Sequence, residues 1–447
     1  MTGLGKRCQA PQLQQRRAVP EGQTKKGVVK LNTNLSQYAR RSAVLGAVFG
    51  LVLTLAVSVG TAATAGAASS LGKSKVAKGS TLTVGYITDG QNGSIDNLSE
   101  VPAAQAAAKY VNNYLGGVAG HVLALDVCND QGTPAGATDC TNQLIAAKVP
   151  MVINNTSAEN GQIYTALSTA GIPYASSYTS VSSQLTGKLS YVFTNGLASS
   201  FAGPAALAKQ VKAKRAALFV IDVPAASGPA EALEPIIYKN AGIPVDVVAI
   251  ASGTPDMTPQ VEAEISKGAN FIDVLGDPSF CTSALKAAKT LGFKGTIVMI
   301  AQCIDSTSAA GIPGGYKGDT LLTTATTDPN NPDVKLYKAV MAKYAHGTSP
   351  FANGVTAGGF LTVITFARAM KSLTGAPTSA NIETAFATTP PQPLFFGNGG
   401  TFQCNGQQLA VTPAVCSTVV LSAKLNQAGN AVGSFKSIVT SPLLKGL

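Results

Sequence analysis

Two stretches of this 447-residue chain concentrate side chains able to hold a small polar molecule. Asn154-Asn155-Thr156-Ser157 closes one apolar segment (151–154), and Ser176-Ser177-Tyr178-Thr179-Ser180 closes another (172–176). Hydroxyls, amides and the free backbone N–H groups ahead of a helix can grip a carboxylate or a similar group. The same residue types serve as plain loops and helix caps. One cluster alone fits capping best. Two on neighbouring segments fit a binding crevice equally well.

Covalent chemistry finds less support. There is no G-x-S-x-G elbow, Walker loop, G-x-G-x-x-G or H-E-x-x-H pattern. Ser283-Ala-Leu-Lys286 matches S-x-x-K but lacks the companion K-T-G and S-D-N elements. An exported hydrolase would have to draw its nucleophile from Ser157 or Ser283, and neither His121 nor His346 adjoins a serine or cysteine. Asp126 with Asp130, and Glu262 with Glu264, read as strand-end and helix-surface carboxylates.

The formal charge of +11 invites a nucleic-acid reading, and its distribution removes it. Nine of the 33 Lys and Arg precede Ser42, accompanied by one acid, Glu21. The uncharged run Ala43–Val59 follows, and then Ala65-Gly66-Ala67. Basic, apolar and small-residue stretches in that order are a secretory signal, with cleavage expected after about Ala67. Left uncleaved, the 43–59 run would be a short membrane anchor. No cysteine follows it for lipid attachment, so no lipoprotein is expected. Without residues 1–67, 24 Lys and Arg face 21 Asp and Glu, close to +3. Lys209, Lys212, Lys214 and Arg215 read as a solvated helix end rather than a phosphate-binding patch.

Apart from Cys8, the cysteines form three neighbouring pairs: Cys128/Cys140, Cys281/Cys303 and Cys404/Cys416. None has the short spacing of a zinc site, and no metal or cofactor is expected. An even number in an exported chain suits disulfides. Pairing of neighbours is expected because each pair straddles one strand–helix or strand–turn unit.

These residues need elements to position them. Apolar runs at 81–87, 122–127, 151–154 and 172–176 alternate with helical spacing over 101–115, 134–147 and 161–170. A second series starts at 191–195, with strands at 217–222, 245–250, 271–276 and 296–301 and helices between them. Long helices over 333–345 and 352–373 precede a Pro-rich break at 390–393 and a β-like tail. Alternation of this kind predicts parallel sheets covered by helices on both faces.

The text of the chain resembles the type I periplasmic binding proteins, specifically the branched-chain amino-acid-type substrate-binding proteins of ABC importers. The resemblance rests on TLTVGYITDG, on AAAKYVNNYLGGVAGHVLALDVCNDQGTP, on ALSTAGIPYASSYTS (166–180), on GFKGTIVM (292–299) and on NPDVKLYKAVMAKY (331–344), across about residues 80–440. It implies two Rossmann-like α/β lobes, parallel sheets flanked by helices, joined by a three-segment hinge near 195, 323 and 392. Lobe 1 would comprise 80–194 plus 324–391, and lobe 2 would comprise 195–323 plus 392–447.

The resemblance also implies ligand contacts. Ser157, Tyr178 and Ser180 would hold a ligand's carboxylate and ammonium, and Asp89 and Gln91 would add contacts from the first loop. Ser227 or Asp277 would reach in from lobe 2. The family's acid for the ammonium falls near Ala301-Gln302, where this chain has none; Gln302 would contact the ligand there, and Asp305 is the nearest acid. A buried ammonium without a carboxylate is costly. Unless Asp277 or Asp305 takes that role, a carboxylate, an amide or a neutral polar compound suits the site as well as an amino acid. The implied function is a monomeric, non-enzymatic, exported solute-binding protein that delivers its ligand to an ABC permease and its ATPase. A sensor of the same fold is the alternative.

Overall fold

The computed structural model describes residues 71–447 apart from 93–94, 225, 305–306 and 352–353. The expected export segment, its cleavage point, Cys8 and Asp305 lie outside the described residues.

Lobe 1 is built from β1 (Thr81–Thr88), α1 (Glu100–Tyr110), β2 (Val122–Asn129), α2 (Pro134–Ala146), β3 (Val152–Asn154), α3 (Asn160–Thr169), β4 (Tyr174–Ser176), α4 (Ser182–Thr186) and β5 (Ser190–Val192). Its parallel sheet runs β2-β1-β3-β4-β5. Thr133 caps α2 by accepting from the Gly136 amide, and Pro134 takes the first turn, where a missing N–H costs nothing. The strand near 191, expected to open the second series, pairs instead with β4 and completes the first sheet.

Lobe 2 follows with α5 (Gly196–Gln210), β6 (Ala216–Asp222), α6 (Ser227–Ala241), β7 (Val245–Ala251), α7 (Thr258–Ser266), β8 (Phe271–Leu275), α8 (Pro278–Thr290), β9 (Thr296–Ile300) and β10 (Thr320–Thr323). Its parallel strands run β7-β6-β8-β9-β10, the same order as in lobe 1. The chain then returns to lobe 1 as α9 (Pro332–Tyr344), α10 (Gly354–Ala369) and α11 (Ser379–Thr388). A ribbon of β11 (Gln392–Pro393) and β12 (Thr401–Phe402) follows. Finally β13 (Val420–Leu425) and β14 (Ala431–Ile438) extend lobe 2 by antiparallel pairing beside β10. Helix α11 was not expected, although Ile382, Ala385 and Phe386, which it buries, have helical spacing.

The third crossing departs from the expected position near 392. Leu394, Phe395, Phe396 and Phe402 are buried in the lobe 1 core, and Cys416 is still in it. Phe395 packs on Phe360 and Phe396 on Tyr337, with ring centroids 5.3 and 5.4 Å apart. Moving these rings to the other lobe would expose them, so the chain crosses only between Cys416 and Val420, which packs in lobe 2. The loop from Cys404 to Cys416 also sends Leu409 into the lobe 2 core. All three neighbouring cysteine pairs are disulfides: Cys128–Cys140, Cys281–Cys303 and Cys404–Cys416. Among the described residues no helix is long and apolar enough to cross a membrane.

Candidate functional site

In a parallel sheet with this strand order, ligands bind beyond the carboxyl ends of the strands. Lobe 1 places three carboxylates there. Asp89 and Asp130 directly follow β1 and β2, Glu100 sits in the first turn of α1, and all three are buried. Most of this polar surface is already engaged. Ser157 Oγ donates to Asp130 Oδ2 at 3.0 Å, and the Gly132 amide donates to Asp130 Oδ1 at 2.9 Å. The Ala158 amide reaches both Asp89 oxygens, at 3.3 and 3.2 Å, and the Glu159 amide donates to Ser157 Oγ at 3.0 Å.

Glu100 is different. Neither carboxyl oxygen closes a hydrogen bond, although the side chains of Thr88 and Asn155 lie alongside. Burial pushes its carboxyl up to about 8, and the charges of Asp89 and Asp130 push the same way. Asp130 rises to about 7, again chiefly through burial, against the pull of the Gly132 amide. Helix α10 can close over this cluster because Gly358 and Gly359 face it. A Cβ there would stand 2.2 Å from Asn155 Oδ1 and 2.5 Å from the Glu100 carbonyl oxygen. Among the described residues no group of His, Cys, Asp or Glu is arranged to hold a metal ion.

Lobe 2 has a cavity at the equivalent edge. It encloses about 310 Å³ at the ends of β8, β9 and β10, within the range of roughly 300–1,000 Å³ for ligand pockets. Leu275, Ile300 and Leu322 line it from the strands, and Leu197, Phe201 and Pro204 from α5. Tyr178 forms the wall from lobe 1, and Asn195, Thr323 and Thr324 come from two of the crossings. The Ser200 hydroxyl, also in the lining, bonds the Gly196 carbonyl and Asn195 Oδ1 at 3.0 and 3.3 Å.

Asp273 is the one carboxylate in this lining, and no Lys or Arg accompanies it among the described residues. It lies inside β8 between Leu218 and Val298 of the flanking strands and is 4% exposed. Burial pushes its carboxyl up to about 7, opposed by the Val274 amide. Behind it, Glu234 and Tyr238 of α6 are fully buried, with both Glu234 oxygens and the Tyr238 hydroxyl unpartnered. Burial, then the charge of Asp273, hold the Glu234 carboxyl well above the usual range.

A larger groove, about 500 Å³, lies at the amino-terminal ends of β9 and β10. Lys424 there already donates to the Gly318 carbonyl and Thr320 Oγ1 at 3.0 and 2.9 Å. Its place at the wrong end of the parallel strands makes it the weaker candidate.

The residues expected at the site are thus dispersed. Tyr178 and Gln302 line the cavity. Ser157 and Asp89 belong to the lobe 1 network. Ser180 and Gln91 are exposed and away from the lining, and Gln91 bridges to Asp96. Asp277 caps α8, accepting from the Phe280 amide at 2.9 Å, which holds its carboxyl below the usual range. Ser227 donates to Asp222 at 3.0 Å. Ser283 and Lys286 lie in the middle of α8, outside the lining. Asp273 was missed, although an acid within the apolar run FIDVLG is the mark of a buried charge in a strand.

The sequence matches the family described as periplasmic binding protein over residues 81–420. No curated protein matches it. Among solved structures, a putative branched-chain amino acid ABC transporter protein from Rhodospirillum rubrum superposes with a TM-score of 0.64 at 15% identity, covering 80% of this chain and 100% of that one. A fatty acid ABC transporter substrate-binding protein from Thermomonospora curvata gives 0.60 at 18% identity, covering 84% and 96%. The branched-chain amino acid transporter substrate binding protein of Streptococcus pneumoniae, solved with isoleucine, gives 0.56 at 17% identity, covering 80% and 99%. At these identities the likeness is one of fold.

Proposed function

Because the chain belongs to the periplasmic binding protein family, we propose that it is an exported solute-binding protein that hands a small molecule to an ABC-type permease. The observation that carries this reading is a cavity with walls from both lobes and from the crossings between them. A solute touching both walls favours the arrangement in which the lobes stand together, by the difference in its affinity for the two arrangements. The permease would read that arrangement. On this reading Tyr178 and Gln302 contact the solute, while Ser157 and Asp89 hold the shape of lobe 1.

The lining suits a solute with an apolar body and a polar end. Isoleucine, bound by one structural neighbour, and the fatty acid in another's name share that character. Residues 1–67 would direct export, and the three disulfides suit an oxidising compartment. A thermal-shift screen of the purified protein against amino acids, amides, carboxylates, amines and sugars tests the reading. A solute at 100 times its Kd should stabilise by about 2.7 kcal/mol. If no class of compound moved the melt, solute binding would be refuted.

A further inference from the structure

The cavity carries more information than its volume. Its walls are mainly aliphatic and aromatic, and its single carboxylate is Asp273, 4% exposed. Apart from the Val274 amide, no group among the described residues offsets that carboxylate, and the lining holds no cation among them. Its neighbours across the sheet are Leu218 and Val298, and the cations seen in ion pairs, Arg215, Lys267 and Lys289, are bound to Asp246, Glu264 and Asp319 instead. The groups behind it, Glu234 and Tyr238, supply no positive charge and are themselves unpartnered. An uncompensated buried carboxylate is costly and is ordinarily paired or removed. Here it faces a space of about 310 Å³. At the mouth, where an acid was expected, stands Gln302, and Asp277 is taken up as a helix cap.

We propose that the cavity takes a solute with a compact apolar body and one amino group, and that Asp273 is the counter-ion of that amine. This inference rests on the solute-binding reading and narrows it to a substrate class. Burial, then the charge of Asp273, hold the Glu234 carboxyl above its usual range, and Glu234 stands outside the lining, so Asp273 is the one carboxylate that a single amino group would meet. The aliphatic side chains of Leu275, Ile300 and Leu322, with the ring of Phe201, then cover the rest of the molecule. A free carboxylate at the inner wall would meet Asp273 as a like charge, so anions are disfavoured there.

Calorimetric titration of the purified protein with n-hexylamine, 1-hexanol and hexanoate separates charge from shape. The amine should bind, with the alcohol and the acid weaker by about 100-fold, the effect of an unmatched buried charge pair. In Asp273→Asn, which keeps the shape, that preference should disappear, with the amine binding no better than 1-hexanol. Equal binding of amine and alcohol by the native protein, or an undiminished amine preference in D273N, would overturn the proposal. Should D273N fail to fold, the native comparison still decides. If an amino acid, amide or carboxylate from the wider screen binds while amines do not, the amine assignment falls and solute binding stands. If no compound binds, both fall.

Discussion

The two lobes share a strand order and differ in what occupies its carboxyl edge. In lobe 1 the edge is polar and closed: serine, amide and carboxylate groups bond one another around Asp130 and Asp89. In lobe 2 the edge is apolar and open, with one carboxylate facing the opening. The lesson concerns hydrogen-bond satisfaction. Most buried polar groups are paired, so a dense polar cluster largely pairs with itself, Glu100 excepted, and leaves little for a ligand. A sparse one, set among aliphatic side chains, has no internal partner and remains available.

The contrast can be broken most sharply through Glu100. Its folded-state value near 8 stands above the ordinary 4.5, so the folded chain keeps a proton that the unfolded chain releases between those values. Stability conferred by the neutral acid is therefore complete below about pH 4.5 and is lost as pH rises toward 8, by up to about 4–5 kcal/mol. Glu100→Gln should flatten that fall, as measured by denaturant unfolding across the range. Equal pH slopes in the two proteins would mean that lobe 1 is not closed around a neutral acid.

Filling the lobe 2 cavity is the next largest effect. Ser200→Trp should weaken any solute found in the screen by about 100-fold or more, at a packing cost of about 1–3 kcal/mol. Unchanged affinity by calorimetry would place the site elsewhere. Ser157→Ala should act on stability instead, by about 1–3 kcal/mol, because Asp130 loses a buried donor. If it weakened solute binding more than Tyr178→Ala did, the roles assigned to the two lobes would be reversed.

Smaller effects sharpen the boundary. Tyr178→Ala removes the lobe 1 wall of the cavity and should reduce affinity about tenfold, or about 1.4 kcal/mol, with little change in melting temperature. Ser180→Ala, on an exposed residue, should leave stability within about 0.5 kcal/mol and leave affinity alone. A loss of binding in Ser180→Ala would restore that residue to the site.

Much of the fold was legible because apolar periodicity is local. Runs such as ALFVID at 217–222 mark buried parallel strands without reference to anything distant. The disulfide pairs were legible for the same reason, each joining neighbours in sequence. The third crossing was not. Pro390-Pro391-Gln392-Pro393 looks like a boundary, but Phe395 and Phe396 answer to Phe360 and Tyr337, which lie far away along the chain. Of the residues expected to touch a solute, Tyr178 and Gln302 line the cavity, whereas Ser157 bonds Asp130, 27 residues distant, a pairing that residue type alone does not reveal.

By itself the sequence determined the alternation of strands and helices, the cross-links and the character of the family, all properties of short segments. Only the tertiary structure decided which polar groups are satisfied. Satisfaction depends on what the fold brings within about 3 Å, and residue type does not reveal it. Ser157 bonds a carboxylate, whereas Asp273, set between a leucine and a valine, faces the cavity proposed to hold the solute.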